Sequence, residues 1–333
     1  MTATHTQHFG EYELVERLGV GGMAETFVAI RRGPAGFSQR VCLKRILATF
    51  RDEPEFVALF MREARLSALL HHNHIARVLD FGAVDGNHYL TIELIEGTDL
   101  RSLLAALANR GERLELNLVV YLARALAAAL DFAHTADDAG VPAGLVHRDV
   151  SPSNVLLSYA GEVKLADFGI AKRLDQPGSL ESTALKGKVP YMAPEYAVGL
   201  RYDARSDLYS LGVVLYECLT GRRPYDGEND LETIERARQG VRDSMDSLGV
   251  RAPRSLVRAV ESLIAPSPSD RPTNAGEFLQ SLETLPANPL NRRQLGALVR
   301  DAADRGALPV PTGLASTRPA ATPRRRKRRP SRN

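Results

Sequence analysis

Apolar residues recur along this chain with two different periods, and the change from one to the other divides it. Over residues 12–18, 26–31, 40–45, 76–83 and 88–93, short apolar runs or alternation at a spacing of two predict strands, separated by glycine-bearing turns. One helix interrupts them: Phe56, Leu59, Phe60, Glu63, Leu66 and Leu70 recur every three or four residues, which predicts a helix over 54–71. Beyond Gly97 the texture becomes helical, with helices predicted over 100–109, 116–136, 207–219, 230–239, 253–264 and 275–284, and two short strand-like pieces at 155–157 and 163–165. The pattern predicts an α+β chain: a small β-rich lobe, a larger α-rich lobe and a connector near 93–97. Leu295, Leu298 and Val299 mark one more amphipathic helix over 289–305, and nothing in the sequence says where it packs. No internal repeat is visible.

Composition adds the class of protein. A chain of 333 residues exceeds the usual single core, and with 44% hydrophobic and 25% charged residues most of it can bury one. The end departs from this. From Gly306 onward there are eight basic residues (Arg318, Arg324, Arg325, Arg326, Lys327, Arg328, Arg329 and Arg332) and no acidic one, so the net charge of +3 leaves the rest of the chain at −5. This stretch lacks apolar surface to offset its ordering entropy, and disorder is expected from about residue 306. A solvated tail is the plain reading of its basic run; an electrostatic tether to an acidic partner, nucleic acid or anionic lipid is the sharper one. No aromatic residue interleaves the run, which argues against base stacking.

Cys42 and Cys218 stand far apart with no CxxC or Cys/His spacing, which argues against a disulfide scaffold or a zinc site and suits a reducing, cytoplasmic location. No secretory signal is read at the N-terminus. The most apolar stretch, 116–132, carries Arg124 and is short for a membrane span, so a core helix is expected and no transmembrane segment. The oligomeric state is not legible.

Five stations carry chemistry, in an order that phosphoryl transfer requires: the triphosphate held, its charge neutralised and the acceptor hydroxyl aimed in line. The first is Leu18-Gly19-Val20-Gly21-Gly22-Met23-Ala24-Glu25-Thr26, a glycine-rich turn between two strands whose backbone N–H groups can close over phosphates. The second and third are Lys44 on a strand and Glu63 on the following helix, an ion pair able to hold an ammonium against the α- and β-phosphates. The fourth is His147-Arg148-Asp149-Val150-Ser151-Pro152-Ser153-Asn154. There Asp149 can accept a hydroxyl proton, and Asn154, five residues on, offers an amide oxygen to a metal. The fifth is Asp167-Phe168-Gly169, a carboxylate after a strand that suits Mg²⁺. Any one could arise in a turn; all five in order do not arise by chance.

With these motifs the chain resembles the eukaryotic-like serine/threonine protein kinases, most of all bacterial members with a Gly-Gly-Met loop, from about residue 12 to residue 285. Ala193-Pro194-Glu195, Arg271 and Ser206-Asp207-Leu208-Tyr209-Ser210-Leu211-Gly212 match further family motifs. The resemblance implies that Glu195 pairs with Arg271 and that Asp207 supports the catalytic-loop backbone, both architectural. It implies the bilobal protein-kinase fold, with an N-lobe over 1–95, a C-lobe over 96–285 and a C-terminal extension over 286–333. It implies ATP as cofactor with Mg²⁺, Mn²⁺ being an alternative, and protein substrates phosphorylated on serine or threonine. Asp149, Lys44, Glu63, Asn154 and Asp167 would be catalytic, and Asn154 and Asp167 would hold metal. Residues 18–26 would cover the nucleotide, with Ile92 as gatekeeper. Glu93 and Ile95 would bond the purine edge, and Val28 or Thr26, Cys42 and Leu156 would meet its faces. Cys42 stands where the family usually has alanine, and a small apolar wall is expected there.

Arg148 before the catalytic aspartate implies activation by phosphorylation of the loop between Asp167 and Glu195, where Ser179, Ser182 and Thr183 are acceptors. Three departures stand out. Ala24 and Thr26 replace a glycine and a valine in the loop. Ser151 stands where the family has a lysine that contacts the γ-phosphate. Lys188 replaces a threonine that bonds the catalytic aspartate, and is expected to pair with Asp149 or reach the phosphate in place of the missing lysine. With the metal and base positions intact, an active kinase is the favoured reading, and a nucleotide-binding pseudokinase scaffold the alternative.

Overall fold

A computed structural model describes residues 7–21, 23–138, 144–168, 188–197, 199 and 202–306, and the backbone of 141–142. Gly22, Gly169, Ser179, Ser182, Thr183, Gly187 and the basic tail lie outside the described residues. The N-lobe is one antiparallel sheet of β1 (Gln7–Phe9), β2 (Tyr12–Val20), β3 (Ala24–Arg32), β4 (Ser38–Ile46), β5 (Val78–Val84) and β6 (Asn87–Glu93), in the order β1-β2-β3-β4-β6-β5. The helix α1 (Pro54–Ser67) packs on it and ends four residues earlier than its periodicity suggests, because the chain turns through Leu69 and Leu70 before β5.

Alternation along the strands gives the sheet two faces. Phe27, Ala29, Val41 and Leu43 join Phe9, Tyr12 and Tyr89 in a cluster on one side. Val28, Cys42 and Ile46 join Leu18, Phe60, Ala64, Ile92 and Leu156 on the other, the side that meets the C-lobe. Because Lys44 is two residues from both Cys42 and Ile46, its side chain leaves β4 on this second face.

The connector passes through β7 (Gly97–Asp99), which pairs with β10 (Val155–Ser158), itself paired with β11 (Val163–Leu165). Only glycine fits the first position of β7: a Cβ on Gly97 would lie 1.9 Å from the Leu157 carbonyl oxygen. The rest of the C-lobe is helical: α2 (Leu100–Ala108), α3 (Leu116–His134), α4 (Pro194–Ala197), α5 (Ala204–Thr220), α6 (Asp230–Gln239), α7 (Arg254–Leu263), α8 (Ala275–Ser281) and α9 (Asn291–Asp304). A short hairpin, β8 (Asp137–Asp138) with β9 (Val141–Pro142), follows α3. Among the described residues α3 alone is long and apolar enough to cross a membrane, but most of it is buried within the lobe, against α5, α8 and α9. Its Arg124 donates to the Leu282 and Leu285 carbonyls, both at 2.8 Å, capping the chain beyond α8.

The packing of α9, open in the sequence, is definite. Leu295, Val299 and Ala302 are fully buried in the C-lobe core. Asn117 donates to Asn291 and Gln294 at 3.0 and 2.8 Å, and Arg110 pairs with Asp301 at 2.9 Å. Backbones meet where α9 crosses the β10–β11 turn, and a Cβ on Gly296 would stand 2.6 Å from the Tyr159 carbonyl oxygen. Backbone atoms cannot yield as a flexible side chain would. Gly296→Val is therefore expected to cost about 1–3 kcal/mol by overpacking, read as a lower urea midpoint with little change in slope.

Candidate functional site

The described residues of all five motifs converge on the cleft between the lobes. Lys44 Nζ lies 2.7 Å from Glu63 Oε1 and 3.1 Å from Asp167 Oδ1, so β4, α1 and the segment after β11 meet at one ammonium. Burial opposes the charge on Lys44, but the Asp167 and Glu63 carboxylates outweigh it and raise the lysine above its ordinary value. The direction favours its charged form.

Below it runs the loop from His147 to Asn154. His147 is fully buried and uses both ring nitrogens: Nδ1 accepts from the Asp149 N–H at 3.2 Å, and Nε2 lies 3.0 Å from the Ala166 carbonyl oxygen. That pattern requires the neutral ring with its proton on Nε2, in keeping with burial, which lowers its pKa against the pull of nearby carboxylates. The ring also packs against Phe168, with centroids 4.4 Å apart. His147 thus ties the Asp149 loop to the segment that presents Asp167. The motif contains it, but its bridging role depends on a contact nineteen residues away that spacing does not reveal.

Asp207, at the start of α5, holds the same loop from beneath. Its carboxylate accepts from the His147 and Arg148 backbone N–H groups at 2.7 and 2.8 Å, from Tyr202 Oη at 2.9 Å, and lies 2.8 Å from His134 Nε2. Arg148 has φ of 64°, a left-handed conformation that an arginine holds only when its surroundings enforce it. Burial alone would raise the Asp207 pKa; the His134 hydrogen bond and charge, with the backbone donors, bring it below the ordinary carboxylate value.

Asn154 Nδ2 donates to the Asp149 carbonyl at 2.8 Å, and its own carbonyl accepts from the Ala166 N–H at 2.9 Å, so it stands beside the start of the Asp167 segment. Its side-chain Oδ1 is buried and finds no hydrogen-bond partner among the described residues. A buried acceptor left unpaired costs about 1–3 kcal/mol unless something else satisfies it. With the Asp167 carboxylate it makes two hard oxygen ligands suited to a magnesium-sized ion that takes its other ligands from phosphate and water. Among the described residues no group of three His, Cys, Asp or Glu could hold an ion alone.

Toward the connector, Leu18, Cys42, Ala76, Ile92, Glu93, Leu94, Ile95, Thr98, Leu156 and Ala166 line a narrow apolar slot. Leu18, Cys42, Glu93, Ile95 and Leu156 were expected here; Ala76, Thr98 and Ala166 were not, being small residues without a motif. Burial pushes the Cys42 thiol far up and Asp167 adds to it, so the sulfur stays protonated. Gly19 pairs with Thr26 and Val20 with Glu25 in the hairpin over the slot, and the Gly21 N–H closes its tip on the Ala24 carbonyl at 2.7 Å. Of the side chains at the hairpin's tip, Glu25 pairs with Arg45 at 2.8 Å, Met23 packs on the cleft-side cluster and Thr26 is buried. A roomier concavity of about 600 Å³ lies at the foot of the C-lobe, lined by Arg222, Arg223, Arg236 and Arg242 together with Glu217, Asp226 and Asp243, and none of the five motifs reaches it.

Lys188 Nζ donates to Asp149 Oδ2, one of the two contacts expected of it. Glu195 and Arg271 form a bidentate pair at 2.7 and 2.8 Å, with Ser206 Oγ donating to the same carboxylate at 2.7 Å and the guanidinium over the Tyr209 ring. Both were expected as architecture.

A two-lobed fold with this cleft and this constellation is that of a protein kinase. Residues 12–282 match the protein kinase domain family, and the chain belongs to it. It is 39% identical over 279 residues to the tyrosine-protein kinase MasK of Myxococcus xanthus, covering 84% of this chain and 43% of that protein. It is 34% identical over 283 residues to the serine/threonine-protein kinase PknA of Mycobacterium tuberculosis, covering 84% of this chain and 62% of that protein. The chain thus spans less than two thirds of either relative. The crystal structure of the Mycobacterium tuberculosis PknI kinase domain aligns with a TM-score of 0.59 at 27% identity, over 85% of this chain and 98% of that one.

The Asp207 network carries a pH signature. Its pKa is lowered by folding, so its contribution is full above the unfolded carboxylate value near pH 4 and is lost as pH falls through the lower folded value. Asp207→Asn presents an amide to backbone donors, and is expected to cost about 3–5 kcal/mol at pH 7 and to flatten the acid limb below about pH 4 in urea melts.

Proposed function

We propose that this chain is an active protein kinase that transfers the γ-phosphoryl group of Mg-ATP to protein hydroxyls, chiefly of serine and threonine. The observation that carries this is the junction of Lys44, Glu63 and Asp167, three charged groups from separate elements held within 3.1 Å. A purely structural lysine has no need of two buried carboxylates; a lysine that must offer its charge to phosphates does.

In this reading the apolar slot takes the adenine, with the Glu93 carbonyl and Ile95 N–H on its edge and Leu18, Cys42 and Leu156 on its faces. The backbone of residues 18–26 arches over the phosphates. Asn154 and Asp167 hold Mg²⁺, which supplies neutralisation of the phosphate charge. Lys44 draws the α- and β-phosphates toward the cleft floor and Glu63 keeps it extended. Asp149, pinned through its loop by Asp207 and Asn154, orients the acceptor hydroxyl and takes its proton. Several similar curated proteins carry serine/threonine kinase names, which supports that acceptor. A tyrosine acceptor is the second reading, favoured by the name of the Myxococcus relative and by Ser151 at a position where the two kinase classes differ.

Incubation with Mg-ATP beside an Asp149→Asn variant, followed by intact mass and phosphosite mapping, is the direct test. Phosphate is expected on the parent alone, at serine or threonine, with Ser182 or Thr183 modified. Phosphotyrosine only would move the second reading forward. No phosphate on either protein, with nucleotide binding retained, would favour the pseudokinase scaffold. Lys44→Met is expected to lower kcat by at least about 100-fold while the chain stays folded, checked by circular dichroism.

A further inference from the structure

Ser151 is 1% exposed, and its short side chain reaches no farther than Ser153, with Oγ atoms 3.5 Å apart. It is held extended ahead of Pro152, at φ of −157°, so the catalytic loop has neither a cation here nor the freedom to supply one. Yet charge gathers on the transferred phosphoryl group, and Lys44 is already committed to Glu63 and Asp167. Lys188 meets this need from outside the loop. Its ammonium donates to Asp149 Oδ2, and the two side chains are only 16% and 9% exposed, so solvent screens their charges little.

The position of Lys188 is fixed from its C-terminal side. It directly precedes the buried turn Val189–Tyr191, and its carbonyl accepts from the Tyr191 N–H at 3.0 Å. Tyr191 is fastened to α5 twice: its hydroxyl donates to Glu217 at 2.6 Å, and Ser210 Oγ donates to its carbonyl at 2.8 Å. The same helix carries Asp207, which positions the Asp149 loop. Lysine and aspartate are thereby set against each other by one rigid element.

We propose that Lys188 is a catalytic residue that supplies, from the end of the activation segment, the positive charge that Ser151 omits from the catalytic loop. This rests on the kinase reading above. In the transfer, the acceptor oxygen forms its bond to the γ-phosphorus, and the bond from that phosphorus to the β–γ bridging oxygen breaks with its electron pair leaving on ADP. The hydroxyl proton passes to Asp149. Lys188 orients the Asp149 carboxylate through Oδ2 and lies where the charge of the transferring group develops. Cation and base therefore arrive on different segments, and catalysis requires the segment end to be seated on α5.

The test follows the initial rate of phosphate incorporation from Mg-ATP into the full chain. Lys188→Met is expected to lower it on the order of 10²-fold, the usual loss for one charge-stabilising donor. Lys188→Arg is expected to retain more activity than Lys188→Met. Two independent restorations follow: Ser151→Lys in the Lys188→Met background, and Lys188→Cys treated with 2-bromoethylamine, which rebuilds an ammonium in place while the native Cys42 and Cys218 are buried. At least about tenfold recovery by either route supports the proposal, since a merely structural pair would not be rescued by a charge placed at residue 151. A Lys188→Met rate within twofold of the parent, a faster rate, or no recovery by the in-place ammonium overturns it. A parent as inactive as its Asp149→Asn variant sinks the kinase reading instead, whereas an active parent indifferent to residue 188 sinks only this assignment.

Discussion

The buried carboxylate of Asp207 is the constraint on which the C-lobe side of the cleft depends. It lies at 0% exposure and gathers His134 from α3, two backbone amides of the His147–Asn154 loop and Tyr202. A desolvated charge of this kind is tolerable only if nearly every lone pair is satisfied, and here the partners come from three pieces of chain, the end of α3, the loop at His147 and Arg148, and the stretch just before α5. The cost of burying the charge is thus converted into a demand that those pieces stand in one arrangement. The left-handed backbone of Arg148 is one visible result.

The N-lobe side works by a different rule. Strand alternation delivers Lys44 to the cleft face of β4, and the buried stripe of α1 delivers Glu63 to the same place. Neither needs a dedicated anchor, because displacing either would also expose core residues such as Cys42, Phe60 or Ala64. One side of the site is therefore held by hydrophobic register and the other by a saturated polar network. Asp167, bound to Lys44 and following the His147-linked segment, is where the two meet.

Much of this was legible in the sequence, for identifiable reasons. The N-lobe strands, α1 and the major helices of the C-lobe declare themselves by period, and Lys44, Glu63, Asp149, Asn154 and Asp167 by order and spacing. The strands β1 and β7 have three residues each, too few to display a period. The helix α5 begins three residues before its apolar run, because Asp203 and Ser206 form a capping box that polar composition concealed. The docking of α9 depends on Gly161 and Gly296 letting two backbones touch, and glycine in a sequence reads first as a turn. The contributions of His134 and Tyr202 to Asp207 are long-range or in loops, where no pattern marks them.

The pairing of Glu195 with Arg271 spans 76 residues, and its far partner comes well after the residues of the cleft, just ahead of α8. On a ribosome the chain emerges from its N-terminus, and domains settle as units once their contacts are available. The glycine-rich hairpin, Lys44, Asp149 and Asp167 would all be in the open before Arg271 leaves the exit tunnel. The arrangement of the site thus waits on a contact made late in synthesis, and a translation product cut short before that arginine would hold the residues of the site without the scaffold that arranges them.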